Sequence, residues 1–265
     1  AAIKAIGANA AAATLTISVA GPNKLDTTEV YPLKVPAKTT VTATGGDIGI
    51  ALTTDARGIE LSKDGASIDG GSFLIDIDAS QQKGNATAGV FVTTGATDAS
   101  IIRHVRIKET TGAGIAVGGT GRVTIQEGVI LLKNGRGNAA RAGVGVSDGA
   151  FATFDAPAGS GTILIDAAGV GIVVNGRGAI KLTGVPDASA PDKGTIVVQN
   201  SVGPGVAISQ NPGSGGGALP LNELTGLVSF GNGTGSNGGS GLRATYLSNV
   251  KLRGSVLVAN KNHGV

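Results

Sequence analysis

Gly114-Ile115-Ala116-Val117, Gly143-Val144-Gly145-Val146, Gly171-Ile172-Val173-Val174 and Gly205-Val206-Ala207-Ile208 repeat one pattern, a glycine followed by apolar residues two positions apart. The tetrad also occurs as Gly49-Ile50-Ala51-Leu52 and Gly89-Val90-Phe91-Val92, and as a weaker copy in Gly241-Leu242-Arg243-Ala244. Gly264-Val265 reads as the start of another. A period of two is that of a strand with one face buried, and the glycine before it reads as a corner. From Gly89 to Gly241 the tetrad glycines are separated by 25, 29, 28, 34 and 36 residues. Constant strands at variable spacing mean a constant coil carrying loops of different length, which is the mark of a solenoid.

Two further short apolar strands lie in the intervals. Val123-Thr124-Ile125 and Val129-Ile130-Leu131-Leu132 follow Gly114, and Phe151-Ala152-Thr153-Phe154 and Thr162-Ile163-Leu164-Ile165 follow Gly143. Ile180-Lys181-Leu182 and Thr195-Ile196-Val197-Val198 follow Gly171, and Val250-Lys251-Leu252 and Ser255-Val256-Leu257-Val258 follow Gly241. Three strands per turn predict a triangular coil whose equivalent strands pair in parallel with those of the next. A second marker fixes the register. The third strand is followed, after one residue, by Asn134, Asn200, Asn232 and Asn260, with Ala167 midway between the first two. Asparagine tolerates the left-handed conformation of a turn, and its amide can bond the Asn of the next coil. These four are expected to form a structural ladder.

Composition agrees with a packed solenoid. Glycine is 46 of 265 residues without a triplet period, which excludes collagen, and 41 % of residues are hydrophobic, enough for a core. There is no cysteine, so no disulfide holds the chain, and no methionine even at position 1, which suggests processing. No apolar run approaches the ~20 residues of a membrane-spanning helix. The net charge of +3 is uneven: residues 1–102 hold 7 Lys/Arg and 10 Asp/Glu, residues 103–265 hold 14 and 8. Seven aromatic residues and no Trp argue against a base-stacking nucleic-acid site.

The whole chain, 1–265, reads as one β-helix domain. Residues 1–13 are Ala-rich with Ile3 and Ile6 at helical spacing and are expected to form a helical cap. They are followed by Thr14-Leu15-Thr16-Ile17-Ser18-Val19-Ala20-Gly21, Tyr31-Pro32-Leu33-Lys34-Val35-Pro36 and Thr40-Val41-Thr42. No cap is evident after His263-Gly264-Val265, so the C-terminus is expected to continue or to dock. The opening segments, with the later Asn260-Lys261-Asn262-His263-Gly264-Val265, resemble the right-handed parallel β-helix proteins of the pectin-lyase-like superfamily, especially bacterial extracellular members of unassigned function. The resemblance implies an all-β, single-stranded parallel β-helix that is secreted or on the cell surface. It leaves activity open, because such folds serve lyases, hydrolases, adhesins and non-catalytic scaffolds.

Polysaccharide hydrolysis needs paired carboxylates. The densest set is Asp76 and Asp78 in Phe73-Leu74-Ile75-Asp76-Ile77-Asp78, with Asp69 upstream. With Ile75 and Ile77 inward, both aspartates project outward, about 7 Å apart along the strand. A polar outer face explains them equally well. Arg106-Ile107-Lys108 resembles a motif of the polygalacturonases, but their Asn-Thr-Asp, Asp-Asp and Gly-His-Gly motifs are absent upstream of it. His104 and His263 belong to no set with metal-ligand spacing, and no cofactor is implied. Arg106, Lys108, Arg122, Lys181, Lys251 and Arg253 each stand between or beside apolar residues in what reads as the second strand of a coil. They are expected to form one basic ladder suited to an anionic polysaccharide or cell-envelope component, or simply to deter sheet association. A regular Thr-x-Thr ladder is lacking, since Thr40, Thr42 and Thr44 read as one isolated set.

The expected function is therefore a non-catalytic extracellular or cell-surface scaffold or adhesin-type module. It would bind an anionic polymer or associate with itself through coil ends. The alternative is a lyase or glycoside hydrolase acting on an acidic polysaccharide.

Overall fold

The structure is a computed structural model that describes residues 13–18, 23–25, 31–53, 55–84, 88–93, 99–136, 141–190, 193–212, 217–235 and 239–265. The expected cap over residues 1–13 lies outside the described residues except for Ala13, which opens a strand.

Among the described residues, twenty-six short strands form three parallel sheets. The first sheet runs over nine strands from Ala13–Ser18 to Val250–Arg253, and the second over nine from Asn23–Leu25 to Val256–Val258. The third runs over eight, from Leu33–Lys34 to Leu242–Tyr246. Each coil visits the sheets in that order, and each strand pairs with its equivalents one coil before and after. The fold is a right-handed parallel β-helix, the hand that parallel crossover connections favour.

Alternation does the packing. In the first sheet Ile68, Ile102, Ile125, Phe154, Leu182 and Leu224 stack inward in one column. In the third, Ile59, Val90, Ile115, Val144, Ile172 and Val206 do the same. Each such side chain is essentially fully buried and is worth about 1.5–3 kcal/mol of transfer free energy.

The tetrads from Gly89 to Gly241 form the third sheet as expected. The first does not. Gly49-Ile50-Ala51-Leu52 belongs to the second sheet, where Gly49 stands between inward-facing Ile48 and Ile50 and is an ordinary outward-facing strand residue. The third-sheet strand of that coil starts instead at Gly58-Ile59-Glu60-Leu61.

The corrected set makes one glycine column: Gly58, Gly89, Gly114, Gly143, Gly171, Gly205, Gly241 and Gly264. A Cβ added to any of the first seven would lie 3.0 Å or less from the carbonyl oxygen of the next glycine in the column. That oxygen is already in use as a ladder acceptor: Val90 N–H donates to Gly114 O at 2.9 Å and Ile172 N–H to Gly205 O at 2.8 Å. None of these glycines has a positive φ. Space, not conformational freedom, demands glycine here.

Left-handed residues turn the corners. Between the first and second sheets they include Gly45, Gly71, His104, Gly128, Gly226 and Gly254; between the second and third they include Glu109, Lys133, Asn200, Gly231 and Ala259. The asparagine ladder follows the second corner. Asn134 Oδ1 accepts from Thr110 N–H at 3.2 Å, and its Nδ2 donates to Ile107 O at 2.9 Å. Asn232 does the same to Ser201 N–H and Val198 O, and Asn260 to Asn232 N–H and Ser229 O. Each amide thus clamps the C=O of residue n and the N–H of residue n+3 in the turn one coil back. Asn232 Nδ2 also reaches Asn260 Oδ1 at 3.1 Å.

Asn200 departs from the expectation. It is the left-handed corner residue itself, exposed and bonded to Asp166, while Ser201 occupies the buried column position. Ala167 pairs opposite Asn134, as the spacing implied.

Two stability tests follow. Gly143→Ala would set a Cβ 2.5 Å from Ile165 Cγ2 and 2.9 Å from Gly171 O, and should cost about 2–3 kcal/mol. Gly145→Ala, two residues on, meets nothing nearer than 3.9 Å and should change stability by less than about 0.5 kcal/mol. Asn232→Ala strips Ser201 N–H and Val198 O of their partner in a buried turn and should cost about 2 kcal/mol. Urea unfolding of the three variants measures all of these.

Candidate functional site

The aspartates that alternation turns outward meet cations placed opposite them by the parallel register. Asp76 pairs with Arg106 and Asp78 with Lys108 across adjacent strands of the second sheet. Arg106 Nε and Nη2 donate to the two oxygens of Asp76 at 3.0 and 2.7 Å, a bidentate fork. Lys108 Nζ lies 3.4 Å from Asp76 and 3.2 Å from Asp78. Asp69 stands apart, on the first sheet, where Arg103 Nη2 donates to it at 2.5 Å and His104 Nδ1 is 3.3 Å away. The structure therefore brings Asp76 and Asp78 together on one outer face and separates Asp69 from them.

Burial alone would push the Asp69 carboxyl up, but hydrogen bonds from Arg103, Gly71 N–H and His104 outweigh it and hold the group below its usual range. Asp78 behaves alike: burial raises it, and Ser80 and Lys108 more than compensate. The hydrogen bond to Asp76 raises Arg106, and the one to Asp69 raises Arg103. Lys108 is raised too, its contacts with Asp78 and Asp76 overcoming burial. A general acid needs the opposite environment, one that favours the protonated carboxyl.

The basic residues do not form one ladder. Arg106 and Lys108 lie on the second sheet, and Arg122, Lys181, Lys251 and Arg253 on the first. The first-sheet strand of the Arg106 coil is Ser100–Arg103, whose outward Ile101 is 40 % exposed and hides the alternation. Even the four on the first sheet fall in three columns. Lys181 and Lys251 share one, with Glu223 between them and 3.8 Å from Lys251 Nζ. Arg122 pairs opposite Phe151 and Arg253 opposite Thr225. The threonines are less isolated than they read, since Thr14 and Thr16 pair opposite Thr40 and Thr42.

A different concavity lies on the outer face of the third sheet. The middle residues of successive tetrads, Phe91, Ala116, Gly145 and Val173, line one column. The small pair Ala116 and Gly145 leaves a depression between Phe91 and Val173, and the cavity there measures about 300 Å³. Arg57 and Arg141 enter it, and Ser147 and Asn175 also line it. The Arg57 guanidinium sits over the Phe91 ring at 3.5 Å from its centroid. Arg141 Nη1 donates to Thr111 O at 2.7 Å. None of these cavity residues is among the expected site residues. The signal was available at the third position of each tetrad, whose small residues mark the depression, and in the arginine just before Gly58.

Among the described residues, no group of three or more His, Cys, Asp or Glu could hold a metal ion, and no helix is long and apolar enough to cross a membrane.

The ion pairs carry a sign-specific prediction. Asp69 and Asp78 titrate below their unfolded value of about 3.9, so their contribution is present above that pH and lost as pH falls through the folded value. Lys108 titrates above about 10.4, so its contribution is complete below that pH and lost as pH rises beyond. Melting temperature should fall on acidification below about pH 4, and Asp69→Asn/Asp78→Asn should lower the plateau and flatten the acid limb. An equally steep acid limb in the double variant would assign it to other groups. No family model matches the chain, and neither a curated protein nor a solved structure matches it.

Proposed function

We propose that the chain acts as a non-catalytic β-helical scaffold of the secreted or cell-surface kind, built on the plan of the pectin-lyase-like superfamily. The observation that carries this reading is the state of Asp69, Asp76 and Asp78. Each is closed by a cation from the next coil, and Asp76 is held by a bidentate arginine. Hydrolysis needs one carboxyl kept protonated and a second free to attack or to activate water. Here the environments of Asp69 and Asp78 both favour the ionised form, and Arg106 and Lys108 are engaged rather than open to substrate. The charges hold adjacent coils together, as opposite charges facing each other across strands do.

Incubation with a panel of acidic and neutral polysaccharides, followed by reducing-end and unsaturated-product assays, should give no turnover above blank. Turnover that disappears in Asp76→Asn/Asp78→Asn, with cooperative melting retained, would establish the lyase or hydrolase alternative instead.

A further inference from the structure

The geometry points to the third-sheet cavity as a binding site for an anionic saccharide, with its acidic groups met by Arg57 and Arg141. The inference builds on the scaffold reading and adds a ligand to it.

The two arginines come from coils three apart, and their side chains lean toward each other: Arg57 reaches over Phe91 one coil on, and Arg141 reaches Thr111 O one coil back. Both guanidinium groups thus enter the same cavity, where one ligand can meet both. Both are held in advance: Arg57 by the ring of Phe91 and Arg141 by Thr111 O. Guanidinium is the side chain best matched to planar or tetrahedral oxyanions, and prior orientation lowers the entropic cost of binding. Among the described residues no Asp or Glu lines the cavity, although Glu60 pairs opposite Phe91 one coil back and Asp148 adjoins Ser147. The lining is thus cationic and concave, which strengthens its field toward an anion.

The rest of the cavity selects a saccharide. Its floor of Ala116 and Gly145 is flat and small-sided, open to the apolar face of a sugar ring. Asn175 offers an amide to ring hydroxyls, and the Ser147 oxygen, whose proton goes to Asp148, can accept from them. A nucleobase would need a stacking platform, and the face of Phe91, the one aromatic ring among the described lining residues, is taken by Arg57. The volume of about 300 Å³ lies at the small end of ligand sites and suits a few sugar units rather than a folded partner.

Carboxylate, sulfate and phosphate share this oxyanion chemistry, and calorimetric titration with three charged probes distinguishes them: trigalacturonate, a heparin-derived tetrasaccharide and glucose 6-phosphate, with maltotriose as the neutral control. At least one charged probe should bind and maltotriose should not. Arg57→Ala and Arg141→Ala should each weaken binding about tenfold. Gly145→Leu should abolish it while melting stays cooperative, because that side chain would project into the cavity and a Cβ there meets nothing closer than 3.9 Å. Lys181→Ala, on another sheet, should bind as the parent does. The site is overturned if no charged probe binds at millimolar concentration, if maltotriose binds equally well, or if binding survives Gly145→Leu or both arginine changes. Those outcomes leave the scaffold reading intact. Cleavage of trigalacturonate or the tetrasaccharide would overturn the scaffold reading and leave the cavity standing.

Discussion

One contact governs this molecule: the carbonyl oxygen of each column glycine occupies the space where the Cβ of the glycine one coil earlier would be. Parallel coils stack at ~4.8 Å, a spacing set by backbone hydrogen bonds. At the corner where the third sheet begins, the chain turns so tightly that a ladder carbonyl and a side chain cannot both fit. The inner side of the corner is crowded as well. Ile107 packs against Gly89, Ile165 against Gly143 and Val198 against Gly171. Bringing the second and third sheets this close makes the triangular core narrow enough for Val, Ile and Leu to fill, with Phe154 the largest side chain fully buried. The apolar columns follow from the glycine column, not the reverse.

A coil that turns three times must also satisfy the backbone groups freed at each turn. The second corner does so through its neighbour. The asparagine amide offers an acceptor and a donor at the spacing of a turn's N–H and C=O, so one side chain completes the turn of the preceding coil. That explains why Asn134, Asn232 and Asn260 are placed after the left-handed residue and not on it. The left-handed position needs only a residue that tolerates φ near +50° to +60°, and Glu109, Lys133, Asn200, Gly231 and Ala259 all serve. Where the column residue is Ser201, its hydroxyl is buried without a hydrogen-bond partner, and where it is Ala167 there is no side-chain clamp at all. The clamp is therefore a local reinforcement, whereas the glycine contact recurs in every coil from Gly58 to Gly241.

The architecture was largely legible because its causes are local and periodic. Glycine, apolar alternation and asparagine each recur at fixed offsets within a coil, and seven of the eight glycines in the column could be read from the pattern. Gly58 is hidden because Gly49 offers the same letters nine residues earlier. Period two cannot tell an outward-facing strand glycine from a corner glycine. The site was less legible because it depends on which strands stack. Arg106 and Arg122 look equivalent in sequence, each in a short apolar run, yet they face different directions from different sheets. Asp76 and Arg106 are 30 residues apart and meet only through register.

The same register decides where charge acts at a distance. By halves of the sequence, the basic surplus lies in residues 103–265. In space, the second sheet sets Arg106 and Lys108 against Asp76 and Asp78, and the first sets Arg103 against Asp69 and Lys251 against Glu223. Opposite charges this close cancel beyond a few ångströms, and salt screens what remains within about 10 Å. Farther along the second sheet, the outward column turns aliphatic and is partly covered. Val228 is buried beneath Gly194, in the excursion bridged by Pro186 and Gly194, and Val197 is buried beside it. The outward column of the third sheet answers to neither demand. The glycine beside it fixes the backbone, so its side chains are free to differ, and they do: Glu60, Phe91, Ala116, Gly145, Val173, Ala207 and Arg243. A solenoid gains specificity where coil geometry stops dictating residue type. Here that place is a row of tetrad middles, hollowed by Ala116 and Gly145 and lined by two arginines.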